Sequence, residues 1–207
     1  MTDQRMRRTV ILTSAARLFA EKGFAATTVR EIADSVGVLS GSLYHHFPSK
    51  EAIVGEVVDS YLSDLLTGYR AVIARDLPPR EAVRELVVAS AEAIIRHPHA
   101  TDIYRRERRR VHEGADAQRL GDAADEVKQT WLTVLAQGRA GGAFRGDVPT
   151  WIAYRLIRDA LFHSSPVSTP DTTDPATALA ETFATVVLDG LTRPPRRTAG
   201  RTDRRSS

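Results

Sequence analysis

Apolar residues recur along this chain at intervals of three and four, the spacing that lines one face of an α-helix. They do not alternate as a half-buried strand demands. The first stripe, Val10/Ile11, Ala15 and Leu18/Phe19, predicts a helix over about residues 5–22. Gly23 ends it, because glycine accepts the left-handed backbone of a helix stop. A second helix starts at Thr28, whose hydroxyl can cap free N–H groups, runs through Val29, Ile32, Ala33 and Val36, and ends at Gly37. A short third helix covers residues 40–46. Pro48 breaks the chain, and Ser49 caps a fourth helix over residues 50–74, roughly 37 Å long. Its stripe, Ile53/Val54, Val57/Val58, Tyr61/Leu62, Leu65/Leu66, Tyr69 and Val72/Ile73, is long enough to touch two separate cores. After Leu77-Pro78-Pro79, helices are expected over residues 80–96, 99–111, 117–140, 149–164 and 175–191, with connectors at 141–148 and 165–174. The fold class expected is all-α.

Charge divides the same chain into three. Residues 1–50 carry seven Lys and Arg against four Asp and Glu, net +3. Residues 51–192 carry 16 against 21, net −5, and residues 193–207 carry six against one, net +5. The pI of about 9.5 therefore comes mostly from a Pro-, Thr-, Ser- and Arg-rich tail over residues 193–207, which reads as disordered and solvated. With 207 residues and 42% hydrophobic residues the chain can bury a core. The domains expected are a head over residues 1–50, a body over 51–192 and the tail. Cysteine is absent, which removes disulfides, zinc–thiolate sites and thiol nucleophiles and fits a cytoplasmic protein. No apolar run reaches the roughly 20 residues that cross a bilayer, and Met1–Arg8 lacks a signal peptide's apolar core.

The head carries the main signal. Two helices that cross steeply need a small residue at their closest approach, and Ala33 supplies it. They need a turn residue that accepts positive φ, and Gly37 follows four places on. They need apolar anchors in one core, supplied by Ile32, Val36, Val38, Leu43 and Phe47. That is a helix-turn-helix. Ser40, Gly41, Ser42, Tyr44 and His45 then lie on the exposed face of the third helix, small enough in part for a major groove. Tyr44, His45, Lys50 and the free N–H groups at Thr28 suit phosphates, and Arg30 suits a bidentate guanine contact. A helical hairpin within an ordinary core, with Thr28 and Ser40 as caps only, is the bland alternative.

In the body, Pro149 opens a helix with Trp151, Tyr154, Arg158, Leu161/Phe162 and Ser165 on one face. A cation among aromatics has two readings. Arg158 holds an effector carboxylate or phosphate with Tyr104, Trp131 and Phe162 as apolar wall, or it makes a structural ion pair. The five arginines Arg105, Arg106, Arg108, Arg109 and Arg110 turn through roughly 500° and cannot share a face, so most are solvated. His97-Pro98-His99 with Asp102, and His112-Glu113, read as surface turns rather than a metal site. No nucleophile–base set, P-loop or dinucleotide fingerprint is present, so neither an enzyme nor a cofactor is expected. The faces Ile152, Ala153, Leu156, Ala160 and Leu179, Phe183, Val186, Val187, Leu191 suit a four-helix dimer interface or an intramolecular core.

Residues 8–55 resemble the DNA-binding head of the TetR family of bacterial repressors. The resemblance rests on Ala15-Ala16-Arg17-Leu18-Phe19, Gly23-Phe24, Thr27 to Ala33, Gly37-Val38, Ser42 to Phe47 and Lys50-Glu51. It implies a homodimer on a near-palindromic DNA operator, released when a small-molecule effector enters a helical body. Leu39 to Phe47 and Tyr154 to Asp159 are similar to actinobacterial repressors of steroid-ring (cholesterol) catabolism, which implies a CoA thioester as effector; Phe162 and Pro166 depart from that subgroup. The rival expectations are a helical ligand carrier that leaves DNA alone, and an activator in place of a repressor.

Overall fold

The computed structural model describes residues 2–111, 117–163 and 175–192. The described residues form nine helices and no strand: α1 (Thr2–Lys22), α2 (Val29–Ser35), α3 (Ser40–Tyr44), α4 (Lys50–Ile73), α5 (Pro79–Arg96), α6 (Pro98–Val111), α7 (Ala117–Ala140), α8 (Thr150–His163) and α9 (Pro175–Leu191). The expected tail over residues 193–207 lies outside them.

Side-chain caps set the starts of α2 and α4. Thr28 caps α2 by accepting from the Glu31 amide, and Ser49 caps α4 by accepting from the Ala52 amide. Gly37 at φ +70° lets the Val38 N–H return to the Ala33 carbonyl at 3.0 Å, and this closes α2. Ala33 is fully buried at the crossing. α3 is two residues shorter than its periodicity suggested, because Pro48 disfavours helical backbone at the preceding Phe47. Val10 and Ile73, which the sequence placed on buried stripes, are exposed; each flanks the buried arc.

The core is one contiguous set of buried side chains. In the head, Ile11, Ala15, Leu18 and Phe19 of α1 meet Ile32 of α2 and Leu43 and Phe47 around α3. In the body, α5, α6 and α7 surround α4, α8 lies on α7, and α9 packs mainly along α5. The loop after α7 turns Phe144 back against that helix, with its N–H on the Gly138 carbonyl at 3.0 Å. The Arg145 N–H then reaches the Leu191 carbonyl at 2.8 Å and pins the end of α9.

Gly138 lies under the Phe144 ring, where a methyl group would overlap it. Gly138→Ala is expected to lower stability by about 1–3 kcal/mol through overpacking. Urea denaturation of the variant checks this.

Candidate nucleic-acid interface and effector cavity

An arginine and a lysine clamp the head around α2 and α3. Arg8 of α1 donates from Nη1 to the His46 carbonyl at 2.6 Å and from Nε to Glu56 Oε1 of α4 at 2.7 Å. It also pairs with Glu56 Oε2, and its guanidinium lies over the Phe47 ring at 4.2 Å. Lys50 opens α4 and donates to the carbonyls of Phe24 and Thr27, both at 2.8 Å, with Phe24's ring 4.3 Å away. The turn before α2 is thus tied to α4, and the segment that follows α3 is tied to α1.

With Leu43 and Phe47 buried, the opposite side of α3 is open: Gly41, Ser42, Tyr44 and His45 are exposed, and Ser40 is half-buried. Arg30 is exposed on α2, with only a loose 3.8 Å pairing to Asp34. Two of the residues read as phosphate contacts are more engaged than the sequence suggests. Lys50 places two N–H bonds on backbone carbonyls and keeps one. The Thr28 amide, expected free, donates to Glu31 Oε2 at 2.8 Å, because Glu31 at the third helical position closes a capping box.

The body holds a partly open cavity of about 340 Å³. Its α4 wall is Tyr61, Leu62, Leu65 and Tyr69; Tyr104 comes from α6, Trp131 from α7, and Tyr154, Arg158 and Leu161 from α8. The structure therefore brings together Tyr104, Trp131 and Arg158, as the sequence reading required. The Phe162 side chain lies outside the described residues. Trp151, read onto the same face, is 59% exposed; it falls about 60° round α8 from Tyr154, beyond the buried arc. The cavity's polar groups are satisfied in sequence. Trp131 Nε1 donates to the Tyr69 hydroxyl at 2.7 Å, Tyr69 reaches Ser90 Oγ at 2.7 Å, and Ser90 donates to the Leu86 carbonyl at 2.7 Å. Burial pushes the pKa of Tyr69 and Tyr61 above the ordinary phenol value, so both stay neutral.

The rim is charged. Arg158 donates from Nε and Nη2 to Asp159 Oδ1 at 2.9 and 2.7 Å, and its guanidinium lies 5.6 Å from the Tyr154 ring. Arg105, Lys128 and Asp125 complete the edge. Arg158 makes the ion pair that one reading expected, and it also lines the cavity. Arg105 and Arg106 share Asp102 at 2.8 and 3.3 Å; Arg105 faces the cavity, while Arg106 donates to the Ala20 carbonyl of the head at 3.2 Å. The side chains of Arg108, Arg109 and Arg110 lie outside the described residues. Sequence reasoning missed Tyr61, Tyr69 and Ser90. The available signal was two tyrosines, eight apart, on an otherwise aliphatic stripe, where each hydroxyl needs a partner.

Of the two faces read as a dimer interface, Ala153 and Leu191 are buried in the chain's own core, which corrects their assignment. Leu156 and Val186 are 65% and 66% exposed, and Ile152, Phe183 and Val187 are half-buried. The Leu179 side chain is outside the described residues. No helix is long and apolar enough to cross a membrane, and no group of three His, Cys, Asp or Glu side chains converges, among the described residues.

Residues 11–57 match the family described as bacterial regulatory proteins, tetR family, and residues 76–191 match a tetracyclin repressor-like C-terminal domain. The chain is 39% identical over 188 residues to the HTH-type transcriptional repressor KstR2 of Rhodococcus jostii, covering 91% of this chain and 92% of that protein. It is 38% identical over 187 residues to KstR2 of Mycobacterium tuberculosis, covering 90% and 94%. The structure described as the ketosteroid transcriptional regulator KstR2 of M. tuberculosis superposes with a TM-score of 0.83, covering 91% of this chain and 96% of that one.

The capping box makes the head sensitive to acid. Hydrogen bonds from Lys22 and from the Thr28 amide and hydroxyl pull the Glu31 pKa from 4.5 to about 2. A folded pKa below the unfolded one stabilises fully above about pH 4.5, and the gain is lost as pH falls toward 2. Glu31→Gln is expected to melt at a lower temperature than the parent at pH 7, with the gap closing by pH 2. Thermal melts across that range check the sign; the gap is modest because the group is exposed.

Proposed function

The chain belongs to the tetR family of bacterial regulatory proteins and is a DNA-binding transcriptional repressor, not an enzyme, and we propose that two copies straddle a near-palindromic operator and release it when a small molecule fills the body cavity. The observation that carries this reading is the double duty of α4. Its first residue is clamped to the head, and its middle forms a wall of the cavity. A ligand that displaces Tyr61, Leu65 or Tyr69 tilts the helix that sets the distance between the two heads. Only one spacing fits both major grooves, so the ligand's differential affinity for the two tilts is the switching energy.

On the DNA side, the proposed contacts are Ser40, Gly41 and Ser42 in the groove, Arg30 on a guanine, and Thr28, Tyr44, His45 and Lys50 on phosphates. The domain boundary near residue 50 then coincides with the start of α4. The proposed dimer face is formed by α8 and α9, where Leu156 and Val186 are 65% and 66% exposed and a second copy of the same surface would cover them. Such a regulator works where the chromosome is, in the cytoplasm.

For the effector we infer a CoA thioester of a ring-containing acid. About 340 Å³ lies at the small end of ligand pockets and takes an acyl group rather than a whole CoA. The aromatic wall suits fused rings, the description of the M. tuberculosis relative as a ketosteroid regulator points the same way, and Arg105, Lys128 and Arg158 on the rim suit the phosphates outside.

Anisotropy of a labelled duplex from upstream of the chain's own gene, titrated with acyl-CoA esters, tests the reading. Tyr44→Ala is expected to lose binding to that duplex. Arg158→Gln is expected to bind it normally but to need about tenfold more ester for release. Binding unaffected by any ester would exclude this effector class, and an Arg158→Gln variant released like the parent would remove Arg158 from the site.

A further inference from the structure

Leu39 breaks two rules in one place. It is 82% exposed, more than any other large apolar side chain among the described residues. It also occupies the N-cap of α3, with extended backbone (φ −72°, ψ 143°) and no side-chain hydrogen bond to the helix. Caps favour Ser, Thr, Asp and Asn because a side-chain oxygen can satisfy a free helix N–H. The two neighbouring helices of the same head obey, with Thr28 capping α2 and Ser49 capping α4. A local rule broken without local compensation marks a position held by function.

The backbone around Leu39 is well anchored. The Val38 N–H is fixed to the Ala33 carbonyl at 3.0 Å, and Val38 packs on the core. The Leu39 carbonyl accepts from Ser42 at 2.9 Å and Leu43 at 3.3 Å. The isobutyl group is therefore presented from a fixed backbone at the N-terminal end of the helix, the end that meets base edges in a helix-turn-helix. Its neighbours Ser40, Gly41 and Ser42 are small and do not screen it. The one apolar group that base pairs show in the major groove is the thymine C5-methyl.

We propose that Leu39 reads a thymine in each operator half-site through that methyl group. The proposal rests on α3 being the groove-reading helix. It makes Leu39 a specificity-determining residue: the hydroxyls around it accept several bases, whereas an apolar contact discriminates against every base that lacks a methyl.

Selection by the full chain from a random duplex library defines the preferred site. Each thymine of that site is then replaced singly by uracil, which deletes only the methyl. One thymine per half-site is expected to weaken the parent about fourfold on replacement, the worth of one buried carbon group. Leu39→Ala is expected to bind the thymine and uracil duplexes equally, and Leu39→Met to keep the parent's preference. Leu39→Ser separates recognition from folding: it supplies the missing cap, so it should melt no lower than the parent while losing the discrimination. Parent and Leu39→Ala responding alike to every uracil duplex would overturn the proposal. A library that returns no enriched sequence with the parent would overturn the groove-reading role of α3, and this proposal with it.

Discussion

The structure depends on the burial of one helix face. From Ile53 to Val72, the apolar stripe of α4 is covered first by the head and then by α5, α6 and α7. Because a helix is stiff along its axis, two cores that share it cannot move independently. The same burial that stabilises the fold also couples the head to the body.

That burial is imperfect by design of the sequence. Where aliphatic residues would close the body, α4 presents Tyr61 and Tyr69, and α7 presents Trp131. Their bulk leaves a space, and their polar tips must be satisfied inside it. The Trp131–Tyr69–Ser90–Leu86 relay satisfies Trp131 and Tyr69, Tyr61 pairs with Thr101, and no buried side-chain nitrogen or oxygen among the described residues lacks a partner. A fully satisfied polar network rigidifies the wall that carries it. A second link between cavity and head runs through α6. Arg105 borders the cavity, the adjacent Arg106 reaches the Ala20 carbonyl of α1, and both share Asp102. The backbone leaves helical geometry one residue later, at Glu107 (φ −105°, ψ 17°), so the segment that carries both contacts ends at a kink.

Charge in the head serves geometry before it serves recognition. Arg8 reads in sequence as part of the head's net positive charge, and Lys50 as a phosphate contact. In the fold, one staples α1 to the α3–α4 junction and the other draws the start of α4 to the loop before α2. Both cations rest on aromatic rings, those of Phe47 and Phe24. This leaves Leu39, Gly41, Ser42, Tyr44 and His45 exposed around α3.

Local rules were enough for much of this. Helix periodicity, the Thr28 and Ser49 caps, Gly37 and Pro48 fix where the helices begin and end, because each acts within a few residues of itself. The crossing at Ala33 was legible for the same reason. Long-range placement was not. Whether an apolar position on α8 or α9 faces the chain's own core or solvent depends on where α5 and α7 lie, so Ala153 and Leu191 went inward while Leu156 and Val186 stayed out. Which donors of Lys50 remain free, and that Tyr69 and Ser90 join Trp131 around one space, depend on partners about 20 to 60 residues away. Only the tertiary structure sets those distances.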